Sequence, residues 1–234
     1  LEVLPSSQTS LGSRTPLPQR SHGVRGSGQL EATPWEISGR LGTFEKLYQG
    51  HEVEHDLTVR IGASRLESRG RVRDLLALGA PDVEVRVEGP DIAAALETFG
   101  LRSPLTGAFR LEGRLTPAPG GVELDVHAAV GAVTARARGV VGAPPSLEAF
   151  RLAVEAAGPD ASLAGSWLGL RGLPPQPFDL SAQVRREAGR LHLEGGRVRV
   201  GPTTLLFAGV IGAPPSLVGT DLSVRAKGTE LSRL

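Results

Sequence analysis

The sequence predicts an all-β chain with a few short helices, its antiparallel strands recurring with a period of about 70 residues. Three observations carry this. Apolar residues alternate with charged ones over many short stretches, as on strands with one covered face. Landmarks repeat: Ile61-Gly62-Ala63, Val130-Gly131-Ala132 and Val200-Gly201-Pro202 lie 69 and 70 residues apart, and each is followed nine residues on by a glycine, at Gly70, Gly139 and Gly209. Finally, 31 Gly and 18 Pro are spread along the whole chain, which suits many strands joined by turns.

Taken in order, residues 1–32 are expected to form an irregular N-terminal arm; the Ser-, Pro-, Gly- and Arg-rich stretch up to about Arg25 has no period and reads as a loose arm or an incompletely formed strand pair. Residues 33–234 form the repeat region, in units of 33–60 (partial), 61–129, 130–199 and 200–234 (truncated). Trp35 to Leu41 resembles Phe109 to Leu115, placing a degraded unit ahead of the first full one. Strands are expected where Val83, Val85 and Val87 alternate with Glu84, Arg86 and Glu88, and where Phe109, Leu111 and Leu115 alternate with Arg110, Glu112 and Arg114. Val122-Leu124-Val126, Phe150-Leu152-Val154, Phe178-Leu180-Val184 and Leu191-Leu193 extend the pattern. One element departs from it: Asp91 to Phe99 has helical spacing, with Asp91 as cap and Gly100 as stop, and Asp160 to Leu168 occupies the same place 69 residues on. Each unit therefore reads strand, strand, short helix, strand, strand, with turn chemistry such as Pro117 to Gly121 between strands.

Composition narrows the function classes. Lys and Arg number 26 against 25 Asp and Glu, scattered rather than massed, so the concentrated basic footprint of a nucleic-acid binder is missing. Without cysteine there is neither a disulfide framework nor thiolate chemistry. No apolar run approaches the roughly 18 residues of a membrane span, and the chain opens on Leu1 with no methionine anywhere, as expected of a fragment or processed piece.

His51-Glu52-Val53-Glu54-His55 matches the H-E-x-x-H of zinc peptidases, chemistry that needs a helix so that both histidines face one metal. Val53, Leu57, Val59 and Ile61 alternate with Glu54, Asp56, Thr58 and Arg60, so the segment reads as strand, with Glu52 turned away from the two histidines. His127 and His192 fall on polar strand faces, and the carboxylates interleave with arginines as cross-strand pairs. No phosphate-binding glycine loop or nucleophile elbow is present. The expectation is a chain that is not an enzyme, with no catalytic, cofactor or metal site.

The order short helix, then P-x-x-G-x-F/Y-x-L-x-G-x-L, then a strand pair occurs as Pro104-Leu105-Thr106-Gly107-Ala108-Phe109-Arg110-Leu111-Glu112-Gly113-Arg114-Leu115, with Pro177-Phe178-Asp179-Leu180 as its second copy. Over residues 33–234 this resembles the repeated periplasmic region of the AsmA family (AsmA, TamB and YhdP types). Leu41 to Gly50 is similar to that family's short helix before a strand, and Gly228 to Leu234 to the truncated start of another. The resemblance implies a curved, elongated open sheet or β-groove, anchored in the inner membrane of a Gram-negative bacterium through a segment this chain lacks. It also implies a role in outer-membrane biogenesis by conducting phospholipid, whose acyl chains would be the partner. Val53, Leu57, Val59, Val85, Leu111, Leu124, Leu152 and Val154 are the expected lipid-groove residues. Read from the residues alone, they serve equally to pack a closed sandwich core, which would make the chain a non-catalytic β-repeat scaffold or interaction module.

Overall fold

The period-two stretches become strands. The computed structural model describes residues 21–30, 32–43, 51–73, 81–98, 100, 106–142, 149–163, 172–187, 189–212 and 218–228. The chain runs β1 (His22–Leu30), β2 (Thr33–Leu41), β3 (Val53–Ile61), β4 (Ser64–Val72) and β5 (Asp82–Gly89), then a short helix α1 (Ile92–Glu97). β6 (Phe109–Ala118), β7 (Gly121–Val130), β8 (Val133–Gly142) and β9 (Phe150–Gly158) follow. After a helical turn at 161–163 come β10 (Phe178–Glu187), β11 (Arg190–Val200), β12 (Thr203–Ile211) and β13 (Asp221–Lys227).

All of these strands form one 13-stranded sheet in chain order, each pairing antiparallel with the next. β1 and β13 are the two edges and do not meet, so the sheet is open. Among the described residues there is no second sheet to make a sandwich.

The repeat landmarks now have structural meanings. Gly62, Gly131 and Gly201 open the two-residue turns joining β3 to β4, β7 to β8 and β11 to β12, at φ of 56°, 56° and 53°. A positive φ at the first turn position followed by an ordinary residue, even Pro202, matches the twist of antiparallel hairpins. Each turn glycine donates its N–H to the carbonyl before the aromatic of the preceding β2-, β6- or β10-type strand: Pro34 at 2.9 Å, Ala108 at 2.9 Å and Pro177 at 3.0 Å. That shared bond puts Trp35, Phe109 and Phe178 in one structural position, as the likeness of their segments predicts.

The later glycines of the repeat lie inside strands. Gly70, Gly139 and Gly209 have φ of 149°, 150° and 145°, and a Cβ on any of them would run into the carbonyl oxygen of Asp82, Arg151 or Asp221 on the next strand. They allow neighbouring backbones to close up where a side chain would hold them apart.

α1 follows from its cap. Asp91 has extended φ and ψ, and its Oδ1 accepts from the N–H of Ala93 (3.1 Å) and of Gly107 (3.0 Å), while Ile92 N–H donates to the Gly107 carbonyl (3.0 Å). The helix start is thereby tied to the approach to β6. The next unit repeats the arrangement: Ala161 N–H donates to Gln176 O (2.8 Å), and Asp160 Oδ1 accepts from the N–H and hydroxyl of Ser162. Those hydrogen bonds lower the Asp160 pKa. Residues 164–168 of the second predicted helix lie outside the described residues, as do 44–50 and 229–234 of the other two helix expectations and residues 1–20 of the arm.

One boundary differs from expectation. The sequence reading puts residues 22–30 in the irregular arm, yet they form β1 and pair along their length with β2. Their inward positions include Gly26 and Gly28, which carry no apolar pattern of their own. The bulk comes from the neighbouring strand: a Cβ on Gly28 would sit 2.8 Å from the Trp35 indole.

Candidate functional site: the apolar sheet face

Cross-strand partners share a face, so the register sorts every strand residue onto one side of the sheet or the other. One side is charged. Asp56 meets Arg69 (3.0 Å), Arg86 meets Glu112 (2.9 Å), Glu88 meets Arg110 (3.1 Å) and Asp179 meets Arg199 (2.6 Å). Asp125 on β7 is held by two arginines of β8, by Arg136 Nε and Nη2 (3.0 and 2.8 Å) and by Arg138 Nη2 (2.8 Å). These hydrogen bonds hold its carboxyl far below the usual carboxylate range. The expected cross-strand pairing is therefore present, on a wet surface where each pair contributes little by itself.

The other side is apolar from β1 to β13, and all eight expected groove residues are on it. Leu57 pairs with Gly39 and Ser68, Val59 with Ile37 and Leu66, and Val53 with Val72. Val85 lies between Ser68 and Gly113, and Leu111 between Val87 and Ala128. Leu124 stands between Leu115 and Gly139, Leu152 between Gly139 and Val184, and Val154 between Ala137 and Ala182. Val53 is buried; the other seven are half-buried.

The sequence reading missed three features of this face. First, alanines recur in its middle rows across β7 to β10: Ala128, Ala135 and Ala156 run up to Leu180 in one row, and Ala137 and Ala182 alternate with Val126 and Val154 in the next. The rows on either side hold Leu124, Gly139, Leu152 and Val184, and Val130, Val133, Gly158 and Phe178. Alanine breaks no alternation, which is why a search for large apolar residues passes over it.

Second, aromatics lie over glycines. Trp35, Phe109, Phe178 and Phe207 are each directly opposite a glycine: Gly28, Gly89, Gly158 and Gly196. A Cβ on Gly89 or Gly158 would come within 2.6 or 2.7 Å of the facing ring, so each ring fills the space its glycine leaves.

Third, the helices wall one margin. Between α1 and the face is an apolar cavity of about 250 Å³, lined by Val59, Leu66, Ile92, Leu96, Leu111 and Ala128 among others. In the next unit the equivalent turn is packed down, with Ala161 buried against Val133, Phe178 and Val200.

His55 of the zinc-like motif belongs to this face and to strand β3, not to a helix. It is 6 % exposed, with Nε2 2.8 Å from Ser68 Oγ and Nδ1 without a hydrogen-bond partner among the described residues. Burial pushes its pKa below 6.5, partly opposed by the Asp56 carboxylate. Glu52 is paired with Arg71 (3.3 Å), and Glu54 projects from the charged side opposite Arg71. Among the described residues no three His, Asp or Glu side chains converge as a metal site, and no helix is long and apolar enough to cross a membrane.

No family model matches the chain, and neither a curated protein nor a solved structure matches it.

Proposed function

We propose that the chain is a segment of an AsmA-like envelope protein and that its apolar face conducts phospholipid acyl chains in outer-membrane biogenesis. On this reading it lies in the periplasm of a Gram-negative bacterium, and the whole protein is held at the inner membrane by a segment outside this chain. The observation that carries the proposal is one open 13-stranded sheet with an apolar side and a charged side, the apolar side having no second sheet over it among the described residues.

The dimensions suit the task. At about 4.8 Å per strand spacing the sheet extends roughly 58 Å, longer than the roughly 30 Å hydrocarbon core of a bilayer. Each methylene transferred from water contributes about 0.8 kcal/mol, so a shallow apolar track holds an acyl chain without a closed pocket. Since the apolar pattern repeats about every 70 residues, a chain can slide between similar positions.

The test is lipid extraction and native mass spectrometry on the chain purified from a Gram-negative periplasm. Co-purifying phospholipid is expected, and it should be lost in the Leu124→Glu, Leu152→Glu double variant while β content persists. A wild-type protein that is folded, monodisperse and free of lipid would overturn the proposal.

A further inference from the structure

The outer edge of β13, which has no neighbouring strand among the described residues, is built like a strand that elsewhere in this sheet has one. Leu222, Val224, Ala226 and Gly228 on its apolar side repeat Leu152, Val154, Ala156 and Gly158 of β9 residue for residue, each 70 positions later. β9 is flanked on that edge by β10, whose Phe178 lies over Gly158. Gly228 has the corresponding place beside Thr203, as Gly158 does beside Val133, but no aromatic lies within 4 Å among its three nearest neighbours. The consequence shows in exposure: Val224 is 61 % and Leu222 43 % exposed, whereas Val154 and Leu152 are half-buried.

We infer that the outer edge of β13 is a docking site for an added β-strand with the pattern of β10: an aromatic opposite Gly228, an acid opposite Lys227 and a base opposite Asp221. Edge amides and carbonyls supply the ladder hydrogen bonds, and the alternating side chains select the partner. A β10-type strand in the β9 register would set Phe178 on Gly228, Asp179 against Lys227 and Arg185 against Asp221. The charges suit β13 better than β9, where Arg185 faces Arg151. A β6-type strand in that register would instead set Arg110 against Lys227. Folded β10 is already paired on both sides, so the occupant is an otherwise unpaired segment of this chemistry. A second copy docking through its β1 edge would bring no aromatic in the glycine register, since the inward residues of β1 are His22, Val24, Gly26, Gly28 and Leu30.

The experiment uses the full chain and a labelled peptide of residues 176–187, read by fluorescence anisotropy, with hydrogen exchange to locate the contact. Saturable binding with new protection on β13 is expected. Phe178→Ala in the peptide should weaken binding about tenfold, and Asp179→Arg should weaken it several-fold. Lys227→Glu in the chain, an exposed change that leaves the fold intact, should reverse the preference between the unsubstituted peptide and its Asp179→Arg variant. Equal binding of a scrambled peptide, protection on β1 instead of β13, or no binding at a folded chain would each overturn the inference. So would concentration-dependent self-association that blocks the peptide. Lipid content is not read in this experiment, so its outcome and that of the lipid test are separate.

Discussion

The ring of Phe178 lies over Gly158, its direct partner across β9 and β10, and closes the buried cluster of Val133, Ala161 and Val200 beneath the second helical turn. Phe109 lies over Gly89 in the same way in the preceding unit, where it lines the apolar cavity beside α1. Among the described residues no second sheet packs on the apolar side, so such aromatic–glycine pairs supply local cores along its length.

Phe178→Ala should therefore destabilise its own unit by about 3 kcal/mol or more, through lost burial and the cavity left behind. Contacts in a repeat array run between neighbours, so the loss should be local. Hydrogen exchange should show β8 to β11 opening while β2 to β4 keep their protection; uniform loss across the sheet would contradict this.

Gly139 and Gly131 should answer differently to substitution. Gly139→Ala must adopt a φ near 150° and push against the Arg151 carbonyl, costing about 2 kcal/mol or more. Gly131→Asn sits at φ 56° with nothing near its Cβ, and should cost no more than about 1 kcal/mol. Thermal melts of the two variants check the ranking.

His55 should make stability fall in mild acid. Its folded-state pKa lies below the unfolded 6.5 because burial disfavours the cation. The unfolded chain then binds more protons in the window beneath 6.5, so stability is fully present above that value and is lost as pH falls through the folded pKa. Melting temperature measured from about pH 7.5 down to about pH 5 should drop in the wild type, and the drop should shrink in His55→Leu.

Asp125, although bound by two arginines, should contribute modestly because its side chain is a third exposed. Asp125→Ala should cost less than about 1 kcal/mol and become nearly neutral in high salt, as denaturant titrations at two ionic strengths would show. The sign with pH is the reverse of a raised group: its depressed pKa adds stability above the ordinary carboxylate value of 3.8, lost as pH falls through the folded value.

Much of this structure is legible in single segments. Val83, Val85 and Val87 against Glu84, Arg86 and Glu88 set both the strand and its two faces, and the eight groove residues sort to one side for that reason. The helix at Asp91 is legible because capping is local. β1 was not, because its apolar bulk is the Trp35 indole of another strand. The parity change in β11 was not either: a bulge at Gly195, with φ of 59°, shifts the inward positions from Leu191 and Leu193 to Gly196 and Val198.

By itself the sequence determined the all-β class, the 70-residue unit and the division of each strand into an apolar and a charged side, since all three rest on alternation, turns and caps within a few residues. Whether the apolar side meets a second sheet was decided only by the tertiary structure. A sandwich and a single open sheet need the same alternation in every strand; they differ in which distant strands pair. Here each strand pairs only with its neighbours in the chain, and the half-buried leucines and valines share one uncapped layer among the described residues.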